Sequence, residues 1–214
     1  MKRIIERHKV FWAQKDFLRN SLFGVSLLLI SLVINYFANV YTTTHAGNYV
    51  ADIILDNIPV FNVGFFFYEG FAFFWIFVIL LLLHEPKRIP FVVKSIALFI
   101  LIRSLFIMLT HLGIPPLHST LDKEDIFRYT TLGNDMFFSS HTGLPFLMAL
   151  NFWENKKLRI FFICASAFFA AVVLLGHLHY SIDVFAAFFI TYTIFQIARK
   201  FFRKDYRLFM GKNK

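Results

Sequence analysis

Long apolar runs separated by short polar connections make up most of the chain. Six of them cover roughly 20–41, 64–83, 91–112, 137–153, 158–176 and 180–199. Each is close to the length a helix needs to cross ~30 Å of hydrocarbon at ~1.5 Å per residue. The pattern predicts an all-α, polytopic membrane protein built as a six-transmembrane-helix bundle. The connections are too short to hold a soluble domain, and neither a repeat nor a low-complexity linker interrupts them. Residues 1–214 therefore read as a single membrane-embedded domain, its core at about 20–200, with a short basic tail at each end.

Composition agrees with the bilayer as solvent: 58% of residues are hydrophobic, more than one soluble core can bury. The first 19 residues are charged and lack an apolar stretch ending in small cleavage-site residues, so the first hydrophobic run is expected to remain in the mature protein. Cys164 has no second cysteine to pair with and reads as a packing or lipid-facing thiol.

The net charge of +9 would suit nucleic acid only if the basic residues formed a groove or motif. They lie instead between the hydrophobic runs. Nineteen of the 22 Lys and Arg fall in the N-terminal tail, segments 84–94 and 154–159, and the C-terminal tail, whereas the alternate connections hold only Lys123 and Arg128. By the positive-inside rule both termini are expected to be cytoplasmic, with loops 42–63, 113–136 and 177–179 facing the non-cytoplasmic side. The last cation, Arg103, falls within the third run.

Ionisable groups in or beside a span are costly and point to function. In Gly133-Asn134-Asp135-Met136-Phe137-Phe138-Ser139-Ser140-His141-Thr142, Ser139 or Ser140 can cap a helix whose first-turn N–H groups favour an anion such as phosphate. His141 there can donate a proton to a leaving oxygen; a capped helix with an interfacial histidine is the plain alternative. In His177-Leu178-His179-Tyr180-Ser181-Ile182-Asp183, His179 and Asp183 are four apart and share a helical face. The carboxylate can accept from one ring nitrogen and leave the other as a nucleophile, or the pair can be structural. Arg103, a permanent cation, needs a phosphate or a carboxylate such as Asp52, Asp56, Glu69 or Asp135.

Two stretches, Gly133 to Thr142 and His179 to Val184, resemble the catalytic elements of the sphingomyelin synthase-related branch of the type 2 phosphatidic acid phosphatase superfamily: Ser-x-His-Thr preceded by Asp, then His-Tyr-x-x-Asp-Val. Arg103 to Thr110 with Pro115-Pro116 is similar to that family's third-span region. The resemblance implies that His179 attacks phosphorus, Asp183 orients it, and His141 assists the leaving group. A phosphohistidine intermediate would pass to water or to an acceptor hydroxyl. Arg103, Asp135, Ser139, Ser140 and Tyr180 are the candidate phosphate and substrate contacts.

The chain departs from the wider superfamily in its cations. No Lys stands seven residues before Arg103, where Ile96 lies; Ser104 follows it; and Val173 occupies the place of an arginine six before His179. Arg103 and then Arg128 are the remaining candidates to hold phosphate, since a phosphoryl transition state needs oriented positive charge. A metal set of His141, His177, His179 and Asp183 is disfavoured because residues two apart on a helix point ~200° apart. No cofactor is expected, and a haem would want histidines facing across the spans. A transporter would place polar groups and helix breaks near the midplane, yet of six prolines only Pro145 falls inside a run. The expected partner is a membrane phospholipid or sphingolipid substrate.

Overall fold

The computed structural model describes residues 2–119 and 136–211. Among these the chain folds as helices α1 (Lys2–Trp12), α2 (Lys15–Thr44), α3 (Phe71–His84), α4 (Ile89–Leu109), α5 (Ser140–Asn151), α6 (Lys156–Leu175), α7 (Ser181–Phe201) and α8 (Arg203–Phe209). A π-helical turn over Phe66–Gly70 leads into α3. Among the described residues five segments are long and apolar enough to cross a membrane: Lys15–Thr44, Phe66–His84, Pro86–Leu109, Lys156–Leu175 and Ser181–Phe201.

The expected fourth span, 137–153, is the exception. Ser139 caps α5 and limits it to 12 residues, ~18 Å of helix. Ten of those residues are buried, because α5 packs among α4, α6 and α7 and its apolar side chains face protein. Gly143 makes this approach possible: a Cβ there would stand 2.7 Å from the Phe99 ring on α4 and 2.9 Å from Thr191 Oγ1 on α7. Around it Phe99, Phe138, Leu147, Met148, Phe162 and Ala187 form the main core. The outer helices turn Leu22, Phe37, Phe73 and Phe189 outward, as a bilayer-facing surface requires.

The helices run between two ends. At one, the Phe61 N–H donates to the Leu175 carbonyl (2.9 Å) and the Ser119 N–H to the Gly176 carbonyl (2.8 Å). At the other, Phe152 at the close of α5 packs against Phe209 of α8. The basic tails are structured there. α1 docks through His8 Nε2–H on the Leu83 carbonyl (2.7 Å). Lys94, counted in the sequence among the connection charges, is buried in α4 and bonds Asp205 of α8 at 2.6 Å. A buried ammonium needs such a carboxylate.

Candidate active site

α6 ends in a Schellman motif, with the His177 N–H bonding the Leu174 carbonyl and the Leu178 N–H the Val173 carbonyl. The residue past the cap, where glycine is usual, is His177 at φ 50°. Histidine tolerates this left-handed conformation better than most residues, and here its Nδ1–H donates to the Leu117 carbonyl at 3.0 Å. The reversal delivers His179 and Tyr180 to the start of α7. Asp183 Oδ2, in the first turn, accepts the Tyr180 N–H at 2.9 Å and so closes the helix end.

His179 is buried, and its Nδ1 lies 2.8 Å from the Met136 carbonyl and 3.4 Å from Asp183 Oδ2. Both neighbours are acceptors, so Nδ1 carries a proton, and in the neutral ring the lone pair is then on Nε2. The carboxylate reached from the sequence is therefore the second acceptor, and the main chain is the first. Asp183 Oδ1 is buried, with no hydrogen-bond partner among the described residues.

The segment leading into α5 is fastened on three sides. The Met136 carbonyl meets His179, the Phe138 carbonyl accepts Arg103 Nε at 2.8 Å, and the Ser139 N–H donates to the Asp183 carbonyl at 3.2 Å. Ser139 Oγ accepts the Thr142 N–H at 3.4 Å as the α5 cap. Ser166 on α6 donates to the Thr142 carbonyl at 2.7 Å. His141 thus stands on a held first turn, with Ser140 half-buried beside it.

Two rings from the π-helical entry to α3 clamp His141. Phe67 stacks on it at 4.0 Å between centroids and 22°, and Phe71 lies at 4.1 Å and 36°. The stretch that leads to His141 also meets the other two candidates, the Met136 carbonyl accepting from His179 and the Phe138 carbonyl from Arg103.

Tyr180 is buried, with both capacities of its hydroxyl in use: it donates to the Gly113 carbonyl (2.9 Å) and accepts the Val50 N–H (3.2 Å). It ties the 45–62 connection and residues 110–119 to α7. Asp52 does the same from the other side. Its Oδ2 accepts the Ser181 N–H at 2.7 Å, and Oδ1 accepts from Ile54 and Leu55. Burial pushes the Asp52 carboxyl up, but the N–H groups of Ser181, Ile54 and Leu55 outweigh it and hold the group below its ordinary range. Asp52 is the residue the sequence undervalued. An Asp followed at two and three residues by free N–H groups signals a local turn, but its reach to Ser181 spans 129 positions. Asp135 and Arg128, both expected near the phosphate, lie outside the described residues.

Residues 133–200 match the family model of the PAP2 superfamily C-terminal region. The match covers His141, His179 and Asp183, supports the type 2 phosphatidic acid phosphatase superfamily, and suggests chemistry of the lipid phosphatase or phosphotransferase type. No curated protein and no solved structure gives a match to the chain. Arg103, the Phe67 and Phe71 clamp and Asp52 all lie ahead of the matched PAP2 segment.

Proposed function

We propose that the chain is a membrane lipid phosphotransferase of the sphingomyelin synthase-like kind, using His179 Nε2 as its nucleophile. The observation that carries this reading is the pair of acceptors on His179 Nδ1, which in the neutral ring leave the lone pair on Nε2.

In the first half-reaction Nε2 bonds to the phosphorus of a phospholipid donor. The ester bond to the diacylglycerol oxygen breaks, and that oxygen takes a proton from His141. Asp183 and the Met136 carbonyl hold Nδ1–H while the ring becomes cationic, the role an orienting acid plays beside a catalytic histidine. Arg103, the helix N-terminus at Ser140 and the first-turn N–H groups of α5 stabilise the phosphoryl oxygens. In the second half-reaction an acceptor hydroxyl attacks phosphorus, the P–N bond breaks, and the hydroxyl proton returns to His141. Tyr180 serves as a strut for the site loops.

Burial of both histidines favours a lipid hydroxyl over water as acceptor. Hydrolysis of phosphatidic acid or a related lipid phosphate uses the same first step. Neutral nitrogen and a proton relay suffice for this route, which calls for no cofactor. Single-domain organisation, cytoplasmic termini and a site opening on the non-cytoplasmic side complete the proposal, the last two following from the charge distribution.

The test supplies purified protein in liposomes with phosphatidic acid, or with phosphatidylcholine plus fluorescent ceramide, each beside His179→Ala. A new phosphosphingolipid formed only by the intact protein supports transfer, and free phosphate alone makes the protein a phosphatase. Equal turnover by His179→Ala would remove the nucleophile assignment.

A further inference from the structure

At the end of the bundle that carries Tyr180, each of the paired helices α2 and α4 is followed by a histidine. His45 directly follows α2, and His111 stands two residues past the end of α4. The main chains that continue from them touch. The Gly47 N–H donates to the His111 carbonyl at 2.8 Å, and the Gly113 N–H to the Asn48 carbonyl at 3.1 Å. Glycine permits the approach: a Cβ on Gly47 would stand 2.5 Å from the His111 oxygen, and one on Gly113 2.6 Å from the Gly47 oxygen. The two imidazoles are thereby brought together, with 6.1 Å between centroids. Tyr41 braces both, stacked on His45 at 4.2 Å and 27° and meeting His111 at 5.6 Å.

Three features suit this pair to a metal ion. Both histidines are exposed, so neither is spent on filling the core. The Tyr41 carbonyl, 2.9 Å from His45 Nδ1, can only accept, so Nδ1 carries a proton and in the neutral ring the lone pair is on Nε2. Anchoring one ring nitrogen on a main-chain carbonyl is how ligating histidines are oriented. A tetrahedral ion at ~2.1 Å from one nitrogen of each ring sets two imidazoles ~5 Å apart between centroids. Exposed side chains close the remaining gap of about 1 Å by rotation. Charge agrees as well: residues 42–63 and 110–119 hold Asp52 and Asp56 and neither Lys nor Arg.

We infer that His45 and His111 bind a divalent transition-metal ion of the Zn²⁺ or Cu²⁺ kind, which clamps the ends of α2 and α4 together. Among the described residues no third His, Cys, Asp or Glu joins the pair, so water completes the coordination and the ion exchanges readily. Imidazole nitrogen selects these ions over Mg²⁺ and Ca²⁺, which take oxygen. The site shares no residue with His141, His179 and Asp183, and it stands independently of the proposed reaction.

The test adds Cu²⁺ to the untagged full chain in detergent and counts coordinated imidazoles by pulsed electron paramagnetic resonance. Wild type should show two. His45→Ala and His111→Ala should each leave one and weaken binding about 10²-fold, the scale of losing one arm of a chelate. Zn²⁺ should raise the thermal midpoint of wild type but of neither variant, and Mg²⁺ should raise none. His84→Ala, at the far end of α3, should match wild type. Two imidazoles persisting in both single variants, or a signal lost in His179→Ala instead, overturns the proposal. If His45→Ala does not elute as a folded species, His111→Ala decides alone, because the Gly47 bond uses the carbonyl of residue 111 and survives the substitution.

Discussion

His179 Nδ1 and the Met136 carbonyl stand 2.8 Å apart, closer than His179 and Asp183 at 3.4 Å. Because the carbonyl cannot donate, this bond sets the histidine tautomer on its own, and Asp183 adds negative charge beside a ring already oriented. Asp183 also closes the start of α7 through the Tyr180 N–H. One carboxylate thus couples a helix end to the proposed nucleophile.

Replacing His179 or His141 by Ala should lower kcat by about 10³-fold or more, with the protein still folded and inserted. Asp183→Asn should cost less, about 10²-fold, because the Met136 carbonyl still fixes Nδ1–H and the amide oxygen can still accept the Tyr180 N–H. Liposome turnover checks all three. A loss in Asp183→Asn as deep as in His179→Ala would mean that the carboxylate charge outweighs the tautomer.

Phe67→Ala and Phe71→Ala release His141 from its stacked position without touching His179. Each should reduce kcat by roughly 10- to 100-fold, the scale of a misplaced catalytic group, while Phe67→Tyr stays near wild type. Turnover measured beside thermal unfolding separates this effect from loss of fold.

Asp52 ties the 45–62 connection to α7, and its folded carboxyl lies below the ordinary value. A depressed carboxylate contributes its stability above the unfolded value of ~3.9 and loses it as pH falls through the folded value. Asp52→Asn keeps one accepting oxygen and loses the other arm, costing about 1 kcal/mol at pH 7. Unfolding in detergent should show the gap between wild type and variant closing below about pH 4. A gap of constant size across that range would count against the assignment.

Gly143→Ala places a methyl against the Phe99 ring and Thr191 Oγ1. An overpacked core site of this kind costs about 1–3 kcal/mol. The thermal midpoint should fall, and Phe99→Leu in the same chain should restore part of it.

Hydrophobic run length was enough to place the helices within a few residues, because each apolar stretch must bury itself whatever its neighbours do. At α5 the helix is shorter than its apolar run: the Ser139 cap starts it at Ser140, and α4, α6 and α7 enclose its apolar side chains. The basic tails were legible as charge but not as α1 and α8, whose docking on Leu83 and Lys94 is a matter of contacts between distant segments.

The sequence by itself determined that this is a membrane-embedded helical protein and that His141, His179 and Asp183 are its candidate chemistry, since hydropathy, charge and short motifs are local properties. Only the tertiary structure decided which group holds His179, that Phe67 and Phe71 clamp His141, and that Asp52 secures Ser181. Main-chain carbonyls and N–H groups are present at every position and carry no residue signature. Which of them meets a given side chain is fixed when segments 40 to 130 positions apart are brought together by packing.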